Sequence, residues 1–131
     1  MRIAECCCGK TTLETEGEPR SNVICHCDNC KKRTGSAFGH AAYFKKEQVS
    51  NISGPLSCYE LHHEEQNHDQ QRYFCASCGT TLYWLVSDRP HVIGVAGGCF
   101  SQSPLLMPTI SASESNRCSW LGEIDTFTKY E

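Results

Sequence analysis

The hexapeptide Cys25-His26-Cys27-Asp28-Asn29-Cys30 places three cysteine sulfurs at one point of the chain. Two further clusters flank it in sequence, Cys6-Cys7-Cys8-Gly9 and Cys75-Ala76-Ser77-Cys78-Gly79. Sulfurs this close in sequence can converge on one soft metal ion, for which zinc is the default candidate. Eight of the eleven cysteines lie in these clusters, and seven of them, all but Cys7, have the spacing of metal ligands, so we expect metal sites to help organise the fold.

The first and third clusters predict a structural metal site. Cys6 and Cys8 form one pair of ligands, and Cys75 and Cys78 form the other. Neither pair satisfies tetrahedral zinc alone, whereas together they supply four thiolates, the closed set of a structural ion. A glycine follows each pair and permits the tight turn that points backbone N–H groups at the sulfurs. We expect Cys7, between two ligands, to point away from the metal.

The middle cluster predicts a second zinc that takes part in chemistry. Cys25, Cys27 and Cys30 supply three ligands and leave one tetrahedral position open, as catalytic sites do. Zinc with three thiolates has a formal charge of about −1, which makes its bound water less acidic than in all-histidine sites. Such an electron-rich ion suits a substrate thiol, which it holds as the thiolate. The pattern therefore favours thiol chemistry over hydrolysis.

Two alternatives stay open for these cysteines. A fourth protein ligand would close the second site, and the candidates are His40, Cys58, Cys99, Cys118 and a histidine of the segment 62–68. Disulfides are the other alternative. They are disfavoured because eleven cysteines cannot all pair and because residues 1–5 show no apolar export signal.

Composition and charge indicate one globular domain. The chain has 131 residues, of which 39% are hydrophobic and 21% charged, with a formal net charge of −3. We predict a single domain over residues 1–131, with its core at about 3–121. The patch Lys31-Lys32-Arg33 is too small for a nucleic-acid footprint, and no stretch approaches the roughly 20 apolar residues of a membrane span. We expect a cytoplasmic protein without nucleic-acid or membrane partners; the oligomeric state is not specified by the sequence.

Strand patterns dominate the rest of the chain. The strongest is Thr80–Val86, and other apolar or alternating segments predict strands at 10–16, 37–44, 56–61, 70–74, 91–96 and 109–113. One short helix is expected over 29–34, capped by Asp28 and stopped by Gly35. The predicted fold class is therefore mainly β, built of antiparallel strands with short helices.

Histidines are concentrated in the segment His62-His63-Glu64-Glu65-Gln66-Asn67-His68. The segment resembles a metalloprotease helix but lacks its spacing, because no histidine stands four residues after His63. We therefore expect a solvated polar loop. For proton transfer beside the second zinc we favour His26, which lies between two of its ligands, or another nearby histidine. Cys99 is expected in a loop that lines a pocket.

The cysteine clusters, in this order, resemble the glutathione-dependent formaldehyde-activating family, which shares a domain with the centromere protein V family. The resemblance extends from Cys6 to about Trp120. It rests on the seven cysteines and the residues around them, which are Cys6-x-Cys8-Gly9, Gly17-Glu18-Pro19, Cys25-His26-Cys27-x-x-Cys30, Arg33 with Gly35, Phe74-Cys75-x-x-Cys78-Gly79, Leu82-Tyr83-Trp84, Gly98-Cys99-Phe100 and Trp120-Leu121.

The resemblance implies an Mss4-like fold of small antiparallel sheets organised around zinc. It also implies two zinc ions per chain. The structural ion would be bound by Cys6, Cys8, Cys75 and Cys78, and the second ion by Cys25, Cys27 and Cys30. The implied activity is that of a carbon–sulfur lyase, which joins glutathione and formaldehyde into S-hydroxymethylglutathione or reverses that step. A small thiol such as glutathione and a small aldehyde are the expected partners.

A non-catalytic zinc module that binds a thiol or a protein partner is the competing interpretation. A free coordination position beside a substrate-sized pocket favours the enzyme, whereas a closed second site favours the module. An adaptor for nucleic acid or the cytoskeleton, by analogy with the centromere branch, is disfavoured by the net charge of −3 and the lack of a basic tail.

Overall fold

Strands form most of the regular structure, as the alternating segments predict. The computed structural model of the protein describes residues 1–122 and 126–131. Strands account for 45% and helices for 13% of the structure, which confirms the mainly β class with one short α-helix. Within the described residues, no helix is long and apolar enough to cross a membrane.

The described residues contain eleven strands, one α-helix and three short 3₁₀ helices. The strands are β1 (Arg2–Glu5), β2 (Thr12–Thr15), β3 (Ser21–Cys25), β4 (Gly39–Lys45), β5 (Val49–Ser53), β6 (Leu56–His63), β7 (His68–Cys75), β8 (Thr81–Val86), β9 (Val92–Ala96), β10 (Ile110–Ala112) and β11 (Thr128–Lys129). The helix α1 spans Asp28–Thr34, and the 3₁₀ helices span Lys46–Gln48, Gly97–Phe100 and Glu114–Asn116.

The strands form two sheets of unequal size. The smaller sheet has the order β1-β2-β5 and is antiparallel. The larger sheet has the order β11-β10-β3-β4-β9-β8-β7-β6. Its central and β6-side pairs are antiparallel, whereas β10 runs parallel to both β3 and β11. The parallel edge brings the segment from Ile110 onward beside the second cysteine cluster, because Ala112 pairs with Cys25.

The main hydrophobic core lies between the two sheets. Ala4 and Leu13 from the smaller sheet pack with Phe44, Leu82 and Val95 from the larger one, and all five are fully buried. Burying a leucine or phenylalanine side chain of this kind contributes about 1.5–3 kcal/mol. The core therefore fixes the two sheets against each other and holds the strand ends that carry the cysteines.

The helix α1 begins one residue earlier than the sequence predicts. The predicted cap, Asp28, is the first helical residue, and Cys27 occupies the N-cap position. The Cys27 sulfur accepts the backbone N–H of Cys30 at 3.3 Å, so a thiol performs the capping that we expected from a carboxylate. Gly35 ends the helix with a φ of +63°, as predicted.

The histidine-rich segment is the end of a hairpin: the predicted solvated loop is present at residues 64–67, whereas the prediction is wrong for His63, which is buried. Strands β6 and β7 run on to His63 and His68, which are paired across the hairpin, and only residues 64–67 form the turn. His63 is 2% exposed. Polar composition suggested solvation, but the alternation of the strand turns this one imidazole inward.

Candidate metal centres and the adjoining pocket

The first cysteine set meets where β1 ends and where β7 turns into β8. The four sulfurs of Cys6, Cys8, Cys75 and Cys78 all lie within 4.8 Å of one another. The Sγ atoms of Cys6 and Cys8 are 3.6 Å apart, and those of Cys8 and Cys75 are 3.7 Å apart. Sulfurs at the corners of a zinc tetrahedron, with Zn–S of about 2.3 Å, are about 3.8 Å apart. The donor set therefore fits a closed tetrahedral zinc site.

Backbone turns prepare this site for anionic sulfur. Gly9 and Gly79 follow the two cysteine pairs with φ values of +77° and +80°, which favour glycine. The turns aim the N–H of Thr11 at the Cys6 sulfur at 3.3 Å and the N–H of Ser77 at the Cys75 sulfur at 3.4 Å. These N–H groups stabilise thiolates, which are the form that binds a metal.

Thr80 is a supporting residue that the spacing of the cysteines does not reveal. Its hydroxyl lies 3.2 Å from the Cys78 sulfur and accepts the backbone N–H of Cys7 at 3.1 Å. Hydrogen bonding to Thr80 lowers the pKa of Cys78 to about 5, which favours the thiolate. The exposed Cys7 contributes only its backbone here and is outside the four-sulfur group, as expected.

The middle cluster gathers its three sulfurs at the junction of β3 and α1. The Sγ atoms of Cys25, Cys27 and Cys30 lie within 4.8 Å of one another, and Cys27 is fully buried. All eleven cysteines of the chain are free, so the triad is not held by disulfides. Three converging soft donors fit a zinc ion with one position left for another ligand.

The triad concentrates negative charge. Hydrogen bonds with Cys27 and Cys30 lower the pKa of Cys25, while hydrogen bonding to Cys25 raises the pKa values of Cys27 and Cys30. Without a cation the three thiols therefore compete for one negative charge. A divalent ion removes this competition, because it stabilises all three sulfurs as thiolates.

His63 is the histidine that reaches the triad. Its Nε2 atom lies 3.6 Å from the Cys27 sulfur, and its Nδ1 atom accepts the backbone N–H of Gln66 at 3.2 Å. Since Nδ1 is an acceptor, the neutral ring carries its proton on Nε2 and donates it toward Cys27. Burial lowers the pKa of His63, which favours this neutral form.

None of the proposed fourth ligands joins the triad. Among the described residues, the group of donors that lie within 4.8 Å of one another contains only the three cysteines. His63 contacts Cys27 but is outside that group. His40 instead bonds to Asn22, with 2.6 Å between its Nε2 atom and Oδ1. Cys58 is exposed, and Cys99 and Cys118 are half-buried.

His26, which the sequence favours for proton transfer, faces away from the triad. Its ring is 1% exposed, and its Nε2 atom lies 2.9 Å from the Ser111 hydroxyl and 3.4 Å from a Glu114 carboxylate oxygen. Burial lowers the pKa of His26. The ring lines a separate apolar cavity of about 370 Å³ together with Phe38 and Phe127. His26 thus connects the segment that carries the cysteine triad to β10, through Ser111.

The three sulfurs border a pocket of about 350 Å³. Histidine, arginine and aromatic side chains form much of its wall, and no described carboxylate side chain lines it. The side chains concerned are His63, His68, Arg33, Arg72, Arg89, Tyr43, Trp84 and Tyr130. A pocket of this size accommodates a small thiol compound.

Cys99 lies in another pocket, as the sequence predicts. This cavity of about 650 Å³ is lined by Cys99, Cys7 and Arg33, among others, and adjoins the first cysteine set through Cys6. Burial raises the pKa of Cys99 to about 11, which keeps the thiol protonated and unreactive at neutral pH. Cys99 lines a different pocket from the triad and has no role in the chemistry proposed for it.

Comparison with known proteins decides the family. A model of the glutathione-dependent formaldehyde-activating enzyme family matches residues 1–115, which include all seven cysteines predicted to bind metal. The chain belongs to this family. A Rhodobacter sphaeroides protein of known crystal structure is also similar, at 16% identity and a TM-score of 0.59, over 98% of this chain and 99% of that one. At this identity the likeness shows a shared fold alone.

Family membership agrees with the resemblance seen in the cysteine spacing. The glutathione-dependent formaldehyde-activating family accounts for the two cysteine sets, whose ligands are close in sequence and easily read. Sequence reasoning missed Thr80, the inward position of His63 and the arginine-rich wall of the pocket. Those features depend on strand pairing between distant segments, and only the alternation of β6 carried a hint of the buried histidine.

Proposed function

We propose that the protein is a zinc-dependent carbon–sulfur lyase that adds a glutathione-like thiol to a small aldehyde, and catalyses the reverse reaction. The observation that carries this proposal is the opening of the Cys25, Cys27 and Cys30 sulfurs onto the 350 Å³ pocket, with no fourth described ligand in their group. A structural zinc site has no need of a substrate-sized space beside it. Membership of the family supplies the reaction class.

The chain's own residues divide the work of the reaction. Cys25, Cys27 and Cys30 would hold a zinc ion, which would supply the positive charge that lowers the pKa of the substrate thiol and makes its sulfur nucleophilic at neutral pH. The aromatic wall of Tyr43 and Trp84 orients the bound molecule and excludes water from the reacting atoms.

The chemical step is balanced without a redox partner. The thiolate sulfur attacks the carbonyl carbon, which forms the carbon–sulfur bond and moves the π electrons of C=O onto oxygen. That oxygen gains one proton, and the thiol has lost one. Solvent takes up the thiol proton and supplies the proton that the oxygen gains. We assign to the neutral His63 ring a hydrogen bond from its Nε2 proton to that oxygen, because this proton lies beside Cys27 at the pocket wall, whereas His26 faces another cavity.

Exchange spectroscopy tests the activity. We would measure by NMR the rate at which formaldehyde, glutathione and their adduct interconvert, with zinc-loaded protein, Cys27→Ser and Cys58→Ser. Cys58 is exposed and belongs to neither cysteine set, so its variant is the matched control. We expect acceleration with the parent protein and Cys58→Ser and its loss in Cys27→Ser. Exchange at the spontaneous rate with the parent protein would refute the formaldehyde–glutathione reaction.

A zinc module that binds without turnover is the second candidate, and His63 is the observation that favours it. Its Nε2 atom is 3.6 Å from the Cys27 sulfur, so a modest shift would let it complete the tetrahedron. In that case His63→Gln should lose the second zinc. Retention of two zinc ions per chain in this variant would favour the open, enzymatic site.

A further inference from the structure

Three guanidinium groups line the same pocket as the cysteine triad. Arg33 comes from α1, Arg72 from β7 and Arg89 from the segment between β8 and β9. Arg33 stands next to the sulfurs: a Cβ atom built on Gly39 would be 2.7 Å from its Nη2 atom and 3.6 Å from the Cys30 sulfur. Positive charge from distant parts of the chain therefore converges on one small space.

None of these arginines is neutralised by an acidic side chain. Within residues 1–122 and 126–131, no carboxylate lies within ion-pair distance of Arg33, Arg72 or Arg89. Arg72, which is 9% exposed, is held by neutral amides instead: its Nε atom donates to Gln70 Oε1 at 3.1 Å, and Nη2 donates to Asn29 Oδ1. A buried guanidinium without an acidic side chain beside it is costly, so an anionic ligand in the pocket would stabilise it.

Aromatic rings hold the other two arginines in place. The Cζ atom of Arg33 lies 4.5 Å from the centre of the Trp84 ring, and that of Arg89 lies 4.7 Å from the centre of the Tyr43 ring. Trp84 and Tyr43 in turn meet edge to face, with ring centres 6.4 Å apart. Stacking of this kind fixes the plane of a guanidinium while its N–H groups stay available to a ligand.

The charges of the pocket call for an anionic ligand. A zinc ion with three thiolates carries a formal charge of about −1, which three guanidinium groups exceed. A planar guanidinium group can bind a carboxylate through two parallel hydrogen bonds. Arg33 stacks on Trp84 and Arg89 stacks on Tyr43, so the two guanidinium groups lie on different rings of the aromatic pair. The geometry therefore suits a molecule with carboxylates separated along its length.

We propose that Arg33, Arg72 and Arg89 bind the carboxylate groups of the thiol substrate, so that the protein selects dicarboxylate thiols over neutral ones. This inference rests on the proposed function, since it assigns the specificity of the same site. In this arrangement Arg33 and Arg72 bind the carboxylate nearer the sulfurs, and the exposed Arg89 binds the carboxylate at the rim of the pocket. The aldehyde carries no charge and therefore does not need an arginine partner.

A neutral analogue of glutathione tests the selection. We would measure the binding of glutathione and of its diethyl ester by calorimetry with zinc-loaded full-length protein, and compare Arg33→Gln, Arg89→Gln and Lys32→Gln. The ester keeps the thiol and masks both carboxylates. Lys32 is exposed on the same helix as Arg33 and does not line the pocket, so its variant removes one positive charge as a control.

We expect the parent protein and Lys32→Gln to bind glutathione roughly tenfold or more tightly than the ester. Arg33→Gln and Arg89→Gln should each lose most of this preference and raise KM for glutathione more than they change kcat. Equal binding of glutathione and ester, no binding of either, or a preference that survives in both arginine variants would overturn the inference. Failure of the lyase proposal would appear separately, as absent acceleration with every thiol despite intact binding.

Discussion

The Nε2 atom of His63 lies 3.6 Å from the Sγ atom of Cys27 and carries the proton of the neutral ring. A histidine of the polar segment 62–68 therefore offers a side-chain N–H to the triad. In the proposed reaction its Nε2 proton stabilises the oxygen on which negative charge develops, which makes its removal informative.

His63→Gln should lower kcat/KM for thiol–aldehyde exchange by roughly 10²–10³-fold, because it removes the imidazole N–H beside the triad and the loss of one donor to a developing oxyanion costs on that scale. Zinc content, measured by elemental analysis, should stay at two ions per chain. His62→Gln is the matched control, since the preceding residue is exposed and bonds to Asp69 instead. An unchanged rate in His63→Gln would remove this residue from the proposed mechanism.

Loss of a ligand should unfold the protein at the first cysteine set and should abolish only metal binding and activity at the second. Cys75→Ser removes a fully buried ligand of the set that joins β1 to β7 and β8, so it should abolish cooperative unfolding in circular dichroism. Cys30→Ser should retain the fold and lose one zinc ion and the activity. If Cys75→Ser folds as the parent protein does, the first site is not structural.

Gly94 faces Trp84 so closely that a side chain cannot enter between them. A Cβ atom on Gly94 would lie 2.2 Å from the indole nitrogen of Trp84. Gly94→Ala should destabilise the fold by about 1–3 kcal/mol in urea titrations, because overpacking forces the ring to move. It should also weaken glutathione binding by displacing the ring under Arg33.

Gly98→Ala provides the control for this substitution, because nothing lies within 4 Å of its Cβ position. The control should keep both the stability and the affinity of the parent protein. Parent-like glutathione affinity in Gly94→Ala would show that the position of Trp84 does not matter to the ligand.

His40 makes the stability of the fold depend on pH. Burial, with a smaller effect from the Arg33 charge, lowers the pKa of His40 below its usual 6.5. Just below pH 6.5 the unfolded chain then binds a proton that the folded chain does not, so the free energy of unfolding falls as the pH drops toward the folded-state pKa. Urea titrations from pH 7.5 to 5.5 should show a shallower decrease for His40→Gln than for the parent protein.

The Arg33 charge offers a second check on the same histidine. In NMR titrations, Arg33→Gln should raise the pKa of His40 toward 6.5, because it removes a repelling positive charge. A His40 pKa above 6.5 in the parent protein would contradict the assignment.

Much of the fold is legible in the sequence because its strongest signals are local. Cysteine spacing and the glycines after Cys8 and Cys78 specify the turns, and the apolar run of Thr81–Val86 specifies an interior strand. The helix cap was misassigned because a thiol took the place of the carboxylate of Asp28. Local chemistry predicts that a cap exists, but the register of β3 decides which side chain provides it.

The wall of the pocket could not be derived in the same way. Arg33, Arg72 and Arg89 come from three separate segments of the sequence, and they meet only because β7, β8, β9 and β4 are neighbours in one sheet. Sequence alone does not give that order, since strand pairing between distant segments depends on global packing. The same reason explains why His26, adjacent to the ligands in sequence, faces another cavity.

Cobalt spectroscopy tests the openness of the second site most directly. Co²⁺ replaces zinc in thiolate sites, and its absorption bands report the number and kind of ligands. We expect glutathione to change the sulfur-to-cobalt bands of the loaded protein, and S-methylglutathione, which has no free thiol, to leave them unchanged. Bands that do not respond to glutathione would mean that the triad is closed to substrate thiols, and would contradict the proposed lyase mechanism.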